Sequence, residues 1–138
     1  MSSYDATGTR VAAARARSGS SVMKASAPEN ALVGRLGGEE FAIFLPNTGG
    51  DAAWGFAESL RALLRIQAYA GIPASHPVTV SIGLTEGQGE SLDQMFQLAD
   101  TALYQAKHGG RDQVQLASRL AGDATITARL GRTFHAAR

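Results

Sequence analysis

Two apolar runs separated by a pair of glycines constrain the fold of this chain more than any other feature. The runs are residues 32–36 and 41–45, and Gly37 and Gly38 lie between them. Glycine allows the positive φ angles that a tight hairpin turn needs. The pattern therefore predicts a β-hairpin. Both faces of its second strand are apolar, so we expect that strand to be covered on both sides.

Two adjacent carboxylates, Glu39 and Glu40, complete this turn. Neighbouring like charges repel each other and do not stabilise a turn. One interpretation is a solvated hairpin tip. The other is a site where carboxylate oxygens bind a hard cation such as Mg²⁺ together with a phosphate substrate, because the bare glycine backbone lets a ligand approach. The turn alone leaves both interpretations open.

The rest of the chain shows alternating helix and strand signals. The expected elements are a helix over about 51–69, a strand over 78–84, a helix over about 91–108 and a strand over 114–116. Ser91 and Gln94 form a capping box at the start of the second helix. Gly83 interrupts a strand and indicates that another element packs closely against it. The order of elements predicts an α+β fold.

The two ends of the chain carry weaker signals than its centre. Residues 1–31 are expected to be a leader, either loosely ordered or with a helix over Val11–Arg17. Residues 32–117 are expected to form the domain. Residues 118–138 are expected to be a C-terminal tail, with a helical turn near residues 125–130.

The overall composition excludes several classes of protein. The 138 residues suffice for one domain, and a hydrophobic fraction of 44% with 18% charged residues is ordinary for a globular protein. A net charge of +1 gives no reason to expect nucleic-acid binding. The absence of cysteine excludes disulfides and thiolate metal sites. No apolar run reaches the roughly 18 residues of a membrane span, and no apolar signal core is present, so a cytoplasmic location is expected.

Three motifs in sequence order resemble the GGDEF family of diguanylate cyclases. Residues 35–41, Arg-x-Gly-Gly-Glu-Glu-Phe, resemble the signature hairpin of the family. Residues 78–84 resemble a later core strand, and residues 99–114, with the pattern Ala-Asp-x-Ala-Leu-Tyr-x-Ala-Lys-x-x-Gly-Arg-Asp-x-Val, resemble the last helix and the strand after it. The resemblance implies a palm-like sheet of the nucleotidyl-cyclase kind with packed helices.

The resemblance also implies a reaction and a cofactor. Members of the family condense two GTP molecules into cyclic di-GMP and release two pyrophosphates, with metal ions offsetting the phosphate charge. By resemblance, Glu39 would bind Mg²⁺ or Mn²⁺ and help to deprotonate the 3′-hydroxyl, and Glu40 would supply a second catalytic carboxylate. Gly37 and Gly38 would let the nucleotide lie against the backbone.

Lys107 and Arg111 match the positions that contact the phosphates in the family. They follow each other closely at the end of the second helix, so both could reach one anion. The alternative is that a cation there simply complements the helix dipole.

The chain departs from the family near its N-terminus. The family's first strand, which is central in its sheet, carries Asp-x-Asp-x-Phe-Lys-x-x-Asn-Asp, with a metal-binding aspartate and a guanine-reading asparagine. No such motif occurs here. A second guanine-reading aspartate would fall at Thr9. The inhibitory Arg-x-x-Asp motif would fall on residues 28–31, which do not match it, so no inhibitory site is expected.

These departures shape the functional expectation. The sequence predicts an N-terminally truncated GGDEF domain that lacks the first central strand and makes no cyclic di-GMP by itself. The alternative is a non-catalytic module that binds GTP or cyclic di-GMP, or mediates regulatory dimerisation. Whether the chain is an enzyme is left open. The expected partners are GTP, a second copy of the chain and an upstream sensor domain.

Overall fold

The computed structural model describes residues 10–86 and 91–117. Within them, the elements are β1 (Arg10–Ala16), α1 (Ser20–Ser26), β2 (Leu32–Gly37), β3 (Glu40–Leu45), α2 (Gly50–Ile66), β4 (Val80–Glu86), α3 (Leu92–His108) and β5 (Val114–Leu116). The strands form one sheet in the order β2-β3-β1-β4-β5. The β4–β5 pair is parallel, and the other pairs are antiparallel.

Strand β1 occupies the centre of the sheet, where the sequence predicted a missing strand. It pairs with β3 on one side and with β4 on the other. The expected helix over Val11–Arg17 and the expected gap at the centre of the sheet are therefore wrong. Helix propensities of ordinary residues differ by less than about 0.7 kcal/mol each, and a seven-residue helix is marginal by itself. In the sheet, both edges of β1 are hydrogen-bonded and its small side chains fit beneath packed helices, so tertiary structure overrides the local preference.

Alternate residues of β1 face two different cores. The core on the side of α1 and α2 includes Ala12, Ala14, Met23, Phe41, Ile43, Leu45, Ala53, Leu60 and Leu64. The core on the side of α3 includes Val11, Ala13, Met95, Phe96, Ala99 and Leu103, with Ala42 and Phe44 partly buried against it. Strand β3 is covered on both faces, as its apolar pattern predicted.

Helix α3 crosses β4 at Gly83. A Cβ at this position would collide with the carbonyl oxygen of Ala99 and the amide nitrogen of Leu103. The expectation of close packing at Gly83 is confirmed. Because both neighbours are backbone atoms, this contact sets the distance between α3 and the sheet.

Most of the other elements match their sequence predictions, with shifted boundaries. Ser91 and Gln94 form the expected capping box. Helix α2 ends at Ile66, three residues before the expected end near residue 69, and its N-cap is Gly49. No described helix is both long and apolar enough to cross a membrane. The helical turn expected near residues 125–130 lies outside the described residues.

Candidate functional site

The predicted hairpin is present, and its turn is fixed by Arg35. Gly37 pairs with Glu40, so Gly38 and Glu39 form a two-residue loop. Gly37 and Gly38 have φ angles of 149° and 54°, which side chains rarely allow. The Arg35 guanidinium donates to the Gly38 carbonyl oxygen through Nε at 3.0 Å and Nη2 at 2.6 Å. The side chain of Glu39 is exposed at this turn.

The turn is also joined to the central strand. The amide of Ala16, the last residue of β1, donates to the carbonyl oxygen of Glu39 at 3.0 Å. The antiparallel pairings bring the start of β3 and the start of β4 to this same end of the sheet. The residue carrying the signature carboxylate is therefore held beside the C-terminal end of β1.

A cavity of about 470 Å³ opens at this end of the sheet. Arg15 and Arg17 line it from β1 and the residue after it, Arg111 lines it from the loop after α3, and Glu39 lines it from the turn. His76 and Ser81 contribute further polar groups. Among the described residues, Glu39 supplies the one carboxylate of the lining, so positive charge predominates.

Arg15 lies in the middle of this charge cluster because of strand register. It pairs with Glu40 of β3 and with Ser81 of β4. Directly opposed residues of antiparallel strands project to the same face, with Cβ atoms about 4.5–5.5 Å apart. That face is the one covered by α3, since Ala13, two residues before Arg15, packs in the α3 core. Glu40, the predicted second carboxylate, therefore faces the side chain of Arg15 on β1.

Lys107 joins the cluster from the last turn of α3. Burial lowers its pKa, the nearby Arg15 charge lowers it further, and the Glu40 carboxylate partly offsets both effects. Arg111 acts on Lys107 in the same direction as Arg15. Arg15, Glu40 and Arg111 thus all lie close enough to Lys107 to act on it electrostatically.

The loop that carries Arg111 is fastened to α2. Arg111 and Asp112 both have positive φ angles, 63° and 46°. The Asp112 carboxylate accepts from Arg61 at 3.2 Å and from Arg65 at 2.7 Å, and the Arg111 amide donates to the Ala106 carbonyl oxygen at 2.9 Å. These contacts offset the strain of the loop and fix where the Arg111 side chain begins.

The residues at this site do not match the metal site that the family resemblance implies. Within residues 10–86 and 91–117, no three Asp, Glu, His or Cys side chains come together in a group that could hold a metal ion. Strand β1 contains no carboxylate. A divalent cation at Glu39 would meet three arginines in the cavity lining, whereas hard divalent cations favour several oxygen ligands.

The predicted site residues lie together at one end of the sheet. Glu39 and Arg111 line the cavity, whereas Glu40 and Lys107 lie beside Arg15. Gly37 and Gly38 shape the turn next to it.

Arg15, Arg17 and His76 line the cavity but were not predicted as site residues. An alanine- and arginine-rich run that was expected to be helical gave no signal for this placement.

Comparisons with known proteins agree with the motifs. The family model for "Diguanylate cyclase, GGDEF domain" matches residues 5–113. The diguanylate cyclase DgcM of Escherichia coli K12 is 41% identical over 93 residues, which cover 67% of this chain and 22% of that protein. The diguanylate cyclase DgcP of Pseudomonas aeruginosa is 40% identical over 89 residues and is matched over 13% of its length. The chain thus spans less than a quarter of either relative.

Solved structures confirm the α+β, nucleotidyl-cyclase-like fold. The GGDEF domain of DgcB from Caulobacter crescentus, solved with cyclic di-GMP, superposes with a TM-score of 0.69 at 25% identity, covering 80% of this chain and 78% of that one. The diguanylate cyclase SiaD from Pseudomonas aeruginosa, solved with its activator SiaC, gives a TM-score of 0.69 at 31% identity, covering 80% and 50%.

Proposed function

Because the chain belongs to the diguanylate cyclase GGDEF domain family, we propose that it binds GTP at the hairpin turn as part of cyclic di-GMP signalling, without completing the condensation reaction itself. One observation carries this proposal. The signature turn, with Glu39, opens onto the same cavity as Arg111, which matches a phosphate-contacting position of the family.

The shape and charge of the cavity support nucleotide binding. Its volume of about 470 Å³ lies within the range of small-molecule sites. Gly37 and Gly38 have no side chains to keep a ligand from the backbone, and nothing lies within 4 Å of where their Cβ atoms would be. Lys107 and Arg111 would then contact the phosphates. Guanidinium groups bind phosphate oxygens through charge-assisted hydrogen bonds.

The arrangement of the carboxylates argues against turnover. Glu39 would be the metal ligand and the base, with Glu40 as the second carboxylate. Glu40, however, is opposed by Arg15, and β1 carries no acidic residue. Phosphoryl transfer needs groups that offset the growing charge and orient both reactants. A single exposed carboxylate among arginines does not supply a metal-assisted site of that kind.

In this proposal, Mg²⁺ or Mn²⁺ would bind only together with the nucleotide. The family uses divalent metal ions in the condensation. In this chain Glu39 is the candidate ligand from the turn, and the described residues around it do not complete a coordination shell. Any contribution of the metal to catalysis would therefore depend on ligands that β1 does not supply.

The partners and location follow from the same proposal. The condensation joins two nucleotides, so a catalytic assembly would need two copies of the domain facing each other. An upstream sensor domain would supply the input signal, and the cytoplasm would supply GTP. A module of this kind can also act without turnover, by binding GTP or cyclic di-GMP and pairing with an active cyclase.

The test is to incubate the purified chain with GTP and Mg²⁺ or Mn²⁺ and to separate the products by chromatography. We expect no cyclic di-GMP, while calorimetry detects GTP binding that Glu39→Ala changes only modestly. An active GGDEF-domain cyclase serves as the positive control. Product formation that Glu39→Ala abolishes would overturn the non-catalytic interpretation, and absence of GTP binding under every condition would overturn the proposed function.

A further inference from the structure

The arginines of the hairpin cavity differ from the other described arginines in their partners. Arg10 pairs with Glu86 at 3.2 Å, and Arg61 and Arg65 pair with Asp112. Arg35 is bonded to a carbonyl oxygen of the turn. Those side chains serve the fold itself.

Among the described residues, the cavity arginines have no comparable partner. Within residues 10–86 and 91–117, none of Arg15, Arg17 and Arg111 forms an ion pair with a carboxylate. All three line the same cavity. Three cationic residues that line one cavity repel one another, and an external anion would relieve that repulsion.

The position of Arg15 is set by the sheet rather than by a flexible loop. Its backbone pairs on both sides in the central strand, and its side chain is partly buried. The positive charge of Arg15 therefore lies at the end of the sheet that carries the signature turn. Lys107 lies near enough for the Arg15 charge to lower its pKa, which indicates a second cation above the same end. The backbone that carries the Arg15 side chain is therefore already ordered before a ligand binds.

We propose that Arg15, Arg17 and Arg111 bind the phosphate chain of a nucleoside di- or triphosphate directly, so that binding at this turn does not depend on a divalent metal ion. The inference rests on the nucleotide-binding function proposed above. It follows from the mismatch between the expected metal site and the residues present. The central strand β1 carries Arg15 and no carboxylate.

The inference predicts a reversed metal dependence. A metal ion bound to the phosphates cancels part of their negative charge, and that charge is what the arginines attract. Mg²⁺ should therefore leave affinity unchanged or lower it, whereas a carboxylate-based site would require Mg²⁺. Affinity should also fall as salt is added, since the cavity is open to solvent and its charges are screened.

The experiment titrates the full chain with GTP and with inorganic pyrophosphate by calorimetry, once in EDTA and once in excess Mg²⁺. We expect both ligands to bind in EDTA, and we expect excess Mg²⁺ not to increase the affinity of either one. Arg15→Ala should weaken pyrophosphate binding by about tenfold or more, because it removes a charge-assisted hydrogen bond. Lys24→Ala removes an exposed cation of α1 that does not line the cavity, so it should leave affinity unchanged.

A second variant tests the role of Arg15 by reversing its charge. Arg15→Asp places a carboxylate opposite Glu40, so Mg²⁺ should now increase GTP affinity. Melting curves followed by Trp54 fluorescence check that the variant is folded. If Arg15→Asp does not fold, Arg15→Gln keeps most of the side-chain length without its charge and should lose pyrophosphate affinity as Arg15→Ala does.

The remaining outcomes separate this inference from the proposed function. If GTP binds only when Mg²⁺ is present, or if GTP binds in EDTA while pyrophosphate does not, the inference is wrong and nucleotide binding stands. Unchanged pyrophosphate affinity in the Arg15 variants would also overturn it. Failure of GTP to bind with or without Mg²⁺ would overturn both.

Discussion

Substitution of Gly83 by alanine tests the contact that holds the site's last helix against the sheet. The added methyl group would collide with the backbone of α3 at Ala99 and Leu103, and it would approach the carbonyl carbon of Ala102 to 2.9 Å. Backbone atoms cannot rotate away as side chains can. Either α3 must move away from β4 or β4 must bend, and in both cases packing is lost in the core around Leu103.

The expected cost lies at the upper end of what overpacking causes. Inserting one methyl into a packed core costs about 1–3 kcal/mol, and we expect about 3 kcal/mol here because the neighbours are rigid. For a domain of this size, that loss corresponds to a fall in melting temperature of roughly 10–20 °C. Since α3 also carries Lys107, phosphate binding should weaken in any fraction that remains folded.

Urea denaturation followed by the fluorescence of Trp54, the one tryptophan of the chain, measures this effect. Trp54 is partly buried against the core, so its emission should report unfolding. Gly34→Ala is the matched control, because Gly34 also lies in a strand and nothing lies within 4 Å of where its Cβ would be. Its unfolding free energy should change by less than about 1 kcal/mol. If both variants unfold at the same urea concentration, α3 is not packed on Gly83 as described.

Three further substitutions probe the site. Gly38→Ala should cost about 1 kcal/mol in unfolding free energy, because Gly38 has a φ of 54°. The variant should also bind GTP more weakly, and an unchanged dissociation constant would argue against a ligand at the turn. Replacing Lys107 and Arg111 together by alanine should weaken triphosphate binding far more than guanosine binding, and calorimetry showing equal losses would refute the phosphate assignment. Asp112→Ala releases the loop that carries Arg111 and should lower pyrophosphate affinity severalfold. Glu58→Ala is the control, because it removes the other partner of Arg61 and should leave this affinity unchanged.

The parts of this structure that could be predicted from sequence are those that local chemistry decides. The glycines at residues 37 and 38 allow a turn, the Ser91 capping box starts a helix, and the lone glycine at 83 signals a close approach. Each of these depends on residues near one another in the chain. The hairpin, α3 and its packing on β4 were therefore predictable.

The parts that could not be predicted depend on partners far away in sequence. Whether residues 10–16 form a helix or a strand is decided by two neighbouring strands and two packed layers. The proximity of Arg15 to Glu40 exists only in that register. The clamp from Arg61 to Asp112 spans 51 positions, and nothing in either local stretch signals it.

The central strand β1 meets the needs of the fold but lacks the acidic groups that the family's reaction needs. The sheet needs only a short run with small side chains and free backbone groups at that place, and the alanines of β1 meet this need. The reaction of the family needs acidic groups there as well. At about 4 Å, two unit charges interact by about 4 kcal/mol at the effective dielectric of a protein surface. A divalent ion near β1 would feel repulsion from Arg15 where a carboxylate would attract it. Under the proposed function, the signature turn would set where a nucleotide binds, and Arg15 on the strand beside it would favour bare phosphates over phosphates that carry a metal ion.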